Sequence, residues 1–312
     1  FFAALQRANP TTVVQWKWQG GEMAAHYEHR EFKFIFWAFG PAIQIFQRCP
    51  PVISMDGTHL RGSYKGKLLV AVAQTANKRL LPIAYAIVDE ESRESWSFFL
   101  TNLQQHVVGD RQICFLSDSD AGLQSAVDSL ATWQEPAAYH RICLRHLRSN
   151  VVTRYRNSKI QNWCWELGSQ LSERKFQHIR ERLSDFNPDA YNYLFGIPLN
   201  KWTPLGDEGG CRWGTLTTNM SESYNNILKG VRFLPCRALV RATFMKTLDL
   251  FEQEQKKSTR CSNAIASAHY AAFCELESTT TNHKVRCANA ARSLYEVTTG
   301  LRTSSRGDKT YV

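Results

Sequence analysis

Residues 51–88 read PVISMDGTHLRGSYKGKLLVAVAQTANKRLLPIAYAIV, and three apolar runs sit within them. Pro51–Met55 is short and ends at Asp56; KLLVAVAQ at 67–74 and LLPIAYAIV at 80–88 are the second and third. Short apolar runs bounded by turn residues read as strands. Ala76-Asn77-Lys78 between the last two is turn-like, which predicts a hairpin. Pro82 stands at the head of the third run, where a missing N–H is tolerated.

Downstream, Ser92–Val107 carries Trp96, Phe99, Leu100 and Leu103 at helical spacing. Ile113–Leu116 is a fourth strand, followed by Ser117-Asp118. A helix with Leu123, Ala126, Val127 and Leu130 on one face comes next, with Asp120 placed as its N-cap. Ala137–His140 is a fifth, short strand. From Cys143 to about Asn200 only helical segments appear, and Gly206–Gly210 reads as a loop. A helix starts near Asn219, the helical reading runs on to about Val297, and the last dozen residues read as disordered. Upstream, residues 1–47 read as an incomplete flanking region. Within it, aromatic-rich Phe32–Phe46 reads as helical, with Gly40-Pro41 as a breaker.

Three strands followed by alternating helix and strand predict an α/β fold, a mixed five-stranded sheet with helices on its faces. The expected segments are 1–47 (flanking), 48–146 (first part of the core), 147–216 (all-α insertion), 217–235 (helix completing the core) and 236–312 (helical C-terminal region with a disordered tail). Asp118 and Glu222 are 104 positions apart, too many for a loop in a compact domain, and 147–216 absorbs the excess.

The chain has 312 residues, 43% of them hydrophobic and 21% charged, which suits a soluble globular protein. Its 38 Lys+Arg outweigh 28 Asp+Glu, and a net charge of +10 favours an anionic partner such as nucleic acid or a membrane surface. Nine scattered cysteines show no CxxC spacing, so reduced thiols of a nuclear or cytosolic protein are expected. The chain opens at Phe1 without Met, which suggests a fragment, and no signal peptide is visible. No apolar run is long enough to span a bilayer, so no membrane partner is expected. Walker, GxGxxG, HExxH and GxSxG motifs are absent, leaving P-loop, dinucleotide, zinc-protease and α/β-hydrolase chemistry without support.

Asp56 and Asp118 share one grammar: each follows an apolar run and precedes a polar, Gly-containing turn, DGTH and DSDAG. Carboxylates delivered to neighbouring strand ends make a site for Mg2+, which keeps waters and substrate phosphates as its other ligands. Turn capping explains the same residues structurally. Glu222, in NMSESYNN, has capping-box spacing from Asn219, and lies opposite the apolar stripe Met220, Tyr224, Ile227, Leu228 and Val231. Cys143 and His146 form a CxxH, which is half a zinc site; Cys164 or Cys211 would be needed to complete it, and a buried Cys beside a hydrogen-bonded His is the plainer reading. Two stretches are basic without acidic interruption: Pro136–Cys164, with Arg141, Arg145, Arg148, Arg154, Arg156 and Lys159, and Ser223–Leu248, with Lys229, Arg232, Arg237, Arg241 and Lys246. Such clusters neutralise phosphates, or else form solvated helix faces. Arg141, Arg145, Arg148, Lys229 and Arg232 are the expected DNA-binding residues.

Taken together, several ordered motifs resemble the transposase domain of plant Mutator-like elements (MULEs). They are FWAFGPAIQIF at 36–46, SMDGTHLRGSYKGKLLVAVAQTAN at 54–77, LPIAYAIVDEESRESWSFFL at 81–100, FLSDSDAGL at 115–123, YHRICLRHLRSN at 139–150, RWGTLTTNMSESYNNILKG at 212–230 and LPCRALV at 234–240. The resemblance implies a DDE transposase with an RNase H-like fold and a helical insertion before the last carboxylate. It implies Asp56, Asp118 and Glu222 as catalytic carboxylates holding two Mg2+ or Mn2+ ions, with Cys143 and His146 as the family's CxxH; zinc there is a weaker expectation. It also implies terminal inverted repeats and target DNA as partners, a homo-oligomer and a nuclear location. The family often has Arg or Lys after the second Asp, where this chain has Ser119. The alternatives are a domesticated DNA-binding transcriptional regulator without cleavage, an inert relic, or a generic RNase H-like nuclease, which the insertion and the CxxH disfavour.

Overall fold

The computed structural model describes residues 2–19, 32–118, 120–207, 214–258, 266–280, 283–289, 294–299 and 309–311. Ser119 and Cys211 lie outside the described residues, as does much of the expected 206–210 loop.

The apolar runs of the opening stretch form strands β3 (Val52–His59), β4 (Lys67–Gln74) and β5 (Leu80–Val88). Upstream lie β1 (Val13–Trp18) and β2 (Phe32–Ala38), and downstream β6 (Ile113–Ser117) and β7 (Ala138–Ile142). These seven make one mixed sheet in the order β1-β2-β5-β4-β3-β6-β7. Pairing is antiparallel from β1 through β3 and parallel from β3 through β6 to β7. The α/β class is therefore as expected, but the sheet has seven strands and not five.

Of the two extra strands, β1 lies in the flanking region and β2 in the stretch Phe32–Phe46 read as helical. Phe34, Ile35, Phe36, Trp37 and Ala38 are all buried, so no alternation marks β2 as a strand. Its two faces pack on different partners: Phe34 and Phe36 meet Phe98 and Phe99, while Trp37 stacks on Tyr85 at 5.2 Å. A continuous apolar run of this kind does not distinguish a buried strand from a buried helix. Gly40-Pro41 does not break a helix but begins one, α2 (Gly40–Phe46), with Pro in its first turn. Pro82 sits inside the sheet, opposite a register shift between Ala71 and Val72, where its missing N–H is accommodated.

Helix α3 (Arg93–Leu103), which runs on into a π-helical turn at Gln104–Val108, and α4 (Ala121–Ser129) bury Trp96, Phe99, Leu123 and Ala126 in the sheet core. Asp120 caps α4, accepting from Leu123 N at 2.8 Å. After β7 come α5 (Leu144–Tyr155), α6 (Ser158–Ser169), α7 (Glu173–Phe186), α8 (Pro188–Phe195) and α9 (Leu199–Trp202). They enclose a second core around Leu147, Trp163, Leu167, Phe176, Leu183 and Trp202. The chain returns to the sheet core through α10 (Asn219–Ile227) and α11 (Cys236–Ser258).

Residues Lys256–Val312 form a separate compact unit. It holds α12 (Ser267–Thr280) and the antiparallel strands β8 (His283–Asn289), β9 (Leu294–Thr299) and β10 (Lys309–Tyr311). The helical reading to Val297 is thus corrected beyond Thr280, and Lys309–Tyr311 of the expected disordered tail are a strand. Of the nine cysteines, 49, 114, 143, 164, 236 and 274 are free thiols. Among the described residues, no helix is long and apolar enough to cross a membrane.

Candidate active site

Asp56 is not at the end of its strand. β3 continues to His59, with Asp56 paired to Val70 of β4. On its other side, the parallel pairing with β6 covers Val52–Ser54 and stops with Ser54 opposite Leu116. Continuing that register by two residues puts Asp56 level with Asp118, which directly follows β6. The two carboxylates therefore stand where the sheet opens between β3 and β6, the region in which parallel strands present their C-terminal ends to ligands.

Residues two apart on a strand share a face, and one face of β3 is polar: Ser54, Asp56 and Thr58. All three meet the segment that begins with α10. Ser54 Oγ lies 2.7 Å from Ser221 Oγ, Asn225 Nδ2 donates to Asp56 Oδ2 at 2.7 Å, and the Arg232 guanidinium donates to Thr58 Oγ1. Ser221 and Asn225 are one helical turn apart, so α10, which carries Glu222, lies along β3. A further buried link joins Tyr85 and Tyr224 hydroxyls at 2.6 Å.

Glu222 does not close a capping box with Asn219. The N-cap is Thr218, without a side-chain cap bond, and Asn219 Oδ1 accepts from Arg145 at 3.1 Å. Glu222 instead turns toward α5. Arg145 NH1 pairs with Oε2 at 2.7 Å, while Thr218 Oγ1 donates to Oε1 at 3.3 Å and His146 Nε2 stands 3.7 Å from it. Buried Cys143 accepts from Thr218 N at 3.2 Å, and its sulfur, 3.2 Å from Thr218 Oγ1, competes with Glu222 for that one hydroxyl hydrogen. Among the described residues, ligand atoms of Cys143, His146 and Glu222 lie within 4.8 Å of one another; Asp56, Asp118 and Glu222 do not gather to that mutual distance.

Burial pushes the Asp56 pKa up to about 6 against the Asn225 bond that lowers it; the charges of Asp118 and Glu91 raise it further, and His146 lowers it. Asp56 is thus a desolvated carboxylate short of positive charge. Glu91 comes close because Gly57 has no side chain: a Cβ there would meet Glu91 Cδ at 2.5 Å. Lys67 pairs with Glu91 at 2.7 Å. Interaction with the Cys143 sulfur, over the opposing effect of burial, raises the His146 pKa to about 9, helped by Asp118 and Glu222. The Cys143 thiol shifts down: burial opposes this, but hydrogen bonds from His146 and Thr218 outweigh it. The two groups shift toward each other, the thiol down and the imidazole up, so each favours the charged form of its neighbour.

Asp118 is steadied from below. Ser117 Oγ donates to the Asp118 carbonyl at 2.8 Å and meets His140 Nε2 at 2.8 Å. His140 stacks on Phe115 at 4.6 Å, and burial drives its pKa down to about 3, so it stays neutral.

The expected DNA-binding residues separate. Arg141 is corrected: its side chain is 2% exposed and pairs with Asp207 at 2.8 Å and Glu135 at 2.9 Å, so no phosphate can reach it. Arg145 is half exposed but engaged with Glu222. Arg148 is half-buried, with its guanidinium 5.8 Å from the Trp165 ring. Lys229 is exposed, and Arg232 is half-buried on Thr58. Arg61, not singled out from the sequence, lies next to Arg232: its N–H donates to the Arg232 carbonyl at 2.8 Å, and its charge, after burial, lowers the Arg232 pKa. Asn225, Thr218 and Ser54 were also missed, because each acquires its role from a partner far away in sequence.

A hard divalent cation fits Asp56, Asp118 and Glu222. All offer carboxylate oxygen, none is fully buried, and Asp56 carries a charge the protein leaves undercompensated.

A family model described as MULE transposase domain matches residues 52–150. The match takes in Asp56, Asp118, Cys143 and His146, ends before Glu222, and supports a transposase-type function. Among curated proteins, nothing matches the chain.

Proposed function

We propose that this chain is the catalytic core of a DDE-type DNA transposase of the Mutator-like kind, cutting phosphodiester bonds at transposon ends and joining the freed ends to target DNA. One observation carries the reading: the Asn225–Asp56 bond docks the helix bearing Glu222 against the strand bearing Asp56, beside Asp118. Strand order within β3–β7, three antiparallel strands followed by two parallel ones, supports an RNase H-like core.

Asp56, Asp118 and Glu222 would hold two Mg2+ or Mn2+ ions. Bound there, such a pair supplies an activated water and stabilises charge on the leaving oxygen. Asn225 holds one oxygen of Asp56 and leaves the other for a cation. Arg145 and Thr218 fix the Glu222 carboxylate. His146, protonated at neutral pH, places a positive charge beside the carboxylates, where a scissile phosphate would lie. Arg61, Lys229 and Arg232 offer cations to the DNA backbone, a contact that positions DNA without reading its bases. The expected partners are terminal inverted repeats, target DNA and further copies of the chain, in the nucleus.

The test is strand cleavage of labelled terminal-repeat DNA with Mg2+ or Mn2+. Wild type cuts, while Asp56→Asn, Asp118→Asn and Glu222→Gln do not. Equal activity in all four proteins sinks the assignment.

A further inference from the structure

Among the described residues, the ligand atoms that gather to metal-binding spacing are not three carboxylate oxygens. They are the Cys143 sulfur, a His146 ring nitrogen and a Glu222 oxygen, all within 4.8 Å of one another. We propose that Cys143, His146 and Glu222 form a site for a thiolate-binding transition metal, Zn2+ above all, separate from the oxygen-donor site and sharing Glu222 with it.

Ligands around a tetrahedral Zn2+, at about 2.0–2.3 Å from the ion, stand roughly 3.3–3.8 Å apart. His146 Nε2 and Glu222 Oε1 already stand 3.7 Å apart. All three ligand atoms lie within 4.8 Å of one another, so a contraction that side-chain rotation can provide completes three corners. A thiolate selects zinc over magnesium, which prefers oxygen.

The surroundings are those of metal ligands. Thr218 N donates to the sulfur, and the one Thr218 hydroxyl hydrogen lies between the sulfur and Glu222 Oε1, in reach of both ligands. Arg145 occupies Oε2 of Glu222, leaving Oε1 turned to His146. Outer partners of this kind orient ligands and tune their basicity. Cys143 directly precedes α5, and His146 lies in its first turn, so one rigid element presents both. Three protein ligands leave the fourth position to water, the pattern of an open and exchangeable site. A metal there would hold Glu222 on the α5 side, away from Asp56 and Asp118. That consequence rests on the catalytic reading of Glu222; the metal site itself does not.

The experiment is titration of the reduced, metal-free full chain with Co2+. Expected are one equivalent bound, a near-ultraviolet sulfur-to-cobalt charge-transfer band and intense visible bands of four-coordinate cobalt. Zn2+ bleaches them, and excess Mg2+ does not. Cys143→Ser, which keeps an acceptor for Thr218, loses the charge-transfer band. His146→Ala and Glu222→Gln each raise the Co2+ dissociation constant at least about tenfold, since even outer partners of metal ligands cost about 10–100-fold. Asp56→Asn and Asp118→Asn keep the band. Thermal melts establish that each variant is folded; if Cys143→Ser is not, the other four variants decide.

No thiolate band in the wild type, the same band in folded Cys143→Ser, unchanged affinity in His146→Ala and Glu222→Gln, or loss of the band in folded Asp56→Asn or Asp118→Asn overturns the proposal. Mg2+-dependent DNA cleavage without the cobalt–thiolate band removes this site and leaves the transposase reading standing. The band without cleavage does the reverse.

Discussion

Asn225 donates its side-chain N–H to Asp56 Oδ2 at 2.7 Å across 169 positions of sequence. Glu222 lies one turn before Asn225 on the same helix, so this bond, together with the Ser54–Ser221 and Arg232–Thr58 contacts, docks the helix bearing one carboxylate on the strand bearing another. It also compensates part of the charge on the desolvated Asp56.

Asn225→Ala is therefore expected to act through Asp56. Outer partners of metal ligands typically cost about 10–100-fold in metal affinity or activity when removed. A fall in that range is expected for Mn2+ affinity, measured by calorimetry on the folded variant, with a parallel fall in cleavage. Unchanged Mn2+ affinity would show that Asp56 needs no help from α10.

Asp56 also makes stability depend on pH. Its pKa is raised from 3.8 to about 6, so the folded protein binds this proton more tightly than the unfolded chain. The contribution favours folding below pH 3.8 and is lost as pH rises through about 6. Ionised Asp56 then costs on the order of 2–3 kcal/mol. In the presence of EDTA at pH 8, Asp56→Asn is expected to be more stable than wild type by up to about that amount, and the gain should shrink toward pH 4. Chemical denaturation at the two pH values measures it; a variant less stable than wild type at pH 8 contradicts the desolvated carboxylate.

His146 works over a different window. Its pKa is raised from 6.5 to about 9 by Cys143 first, so its contribution is present below 6.5 and lost as pH rises through about 9. Thermal melts of wild type and His146→Asn should diverge least above pH 9 and most near pH 6.5, with wild type the more stable. A constant difference across that range would mean that Cys143 does not raise the His146 pKa.

Arg141 and Arg232 should behave as opposites. Arg141→Ala leaves Asp207 buried with its principal cation gone, a loss of about 3–5 kcal/mol for broken buried pairs, measurable by denaturant unfolding. Arg232→Ala is expected to weaken DNA binding across all sequences and reduce the salt slope by about 1. If filter binding shows the salt slope unchanged in folded Arg232→Ala, the Arg61–Arg232 edge does not carry backbone phosphate.

Local patterns settled a good part of this molecule. The hairpin of β4 and β5, the capped helix behind Asp120 and the change from strands to helices after Cys143 all depend on neighbours in sequence, through turn residues, helical spacing and side-chain caps. The two aspartates were legible for the same reason, since each follows a short apolar run. β2 was not legible, because burial on both faces erases the alternation that marks a strand. Glu222 was ambiguous, because capping-box spacing can be met without a capping box. Only folding showed that Thr218 takes the cap position and that Arg145 and His146 draw the carboxylate outward. Arg141 looked like a DNA contact until Asp207 and Glu135 enclosed it.

Residues 51–88 alone therefore determined that the chain builds a sheet and delivers an aspartate to it. Tertiary structure decided which groups that aspartate meets. Asn225, 169 positions away, reaches it because parity along β3 and one turn of α10 bring matching polar groups to a common face. A strand's own residues set which face each side chain takes, but what covers that face depends on how the whole chain packs.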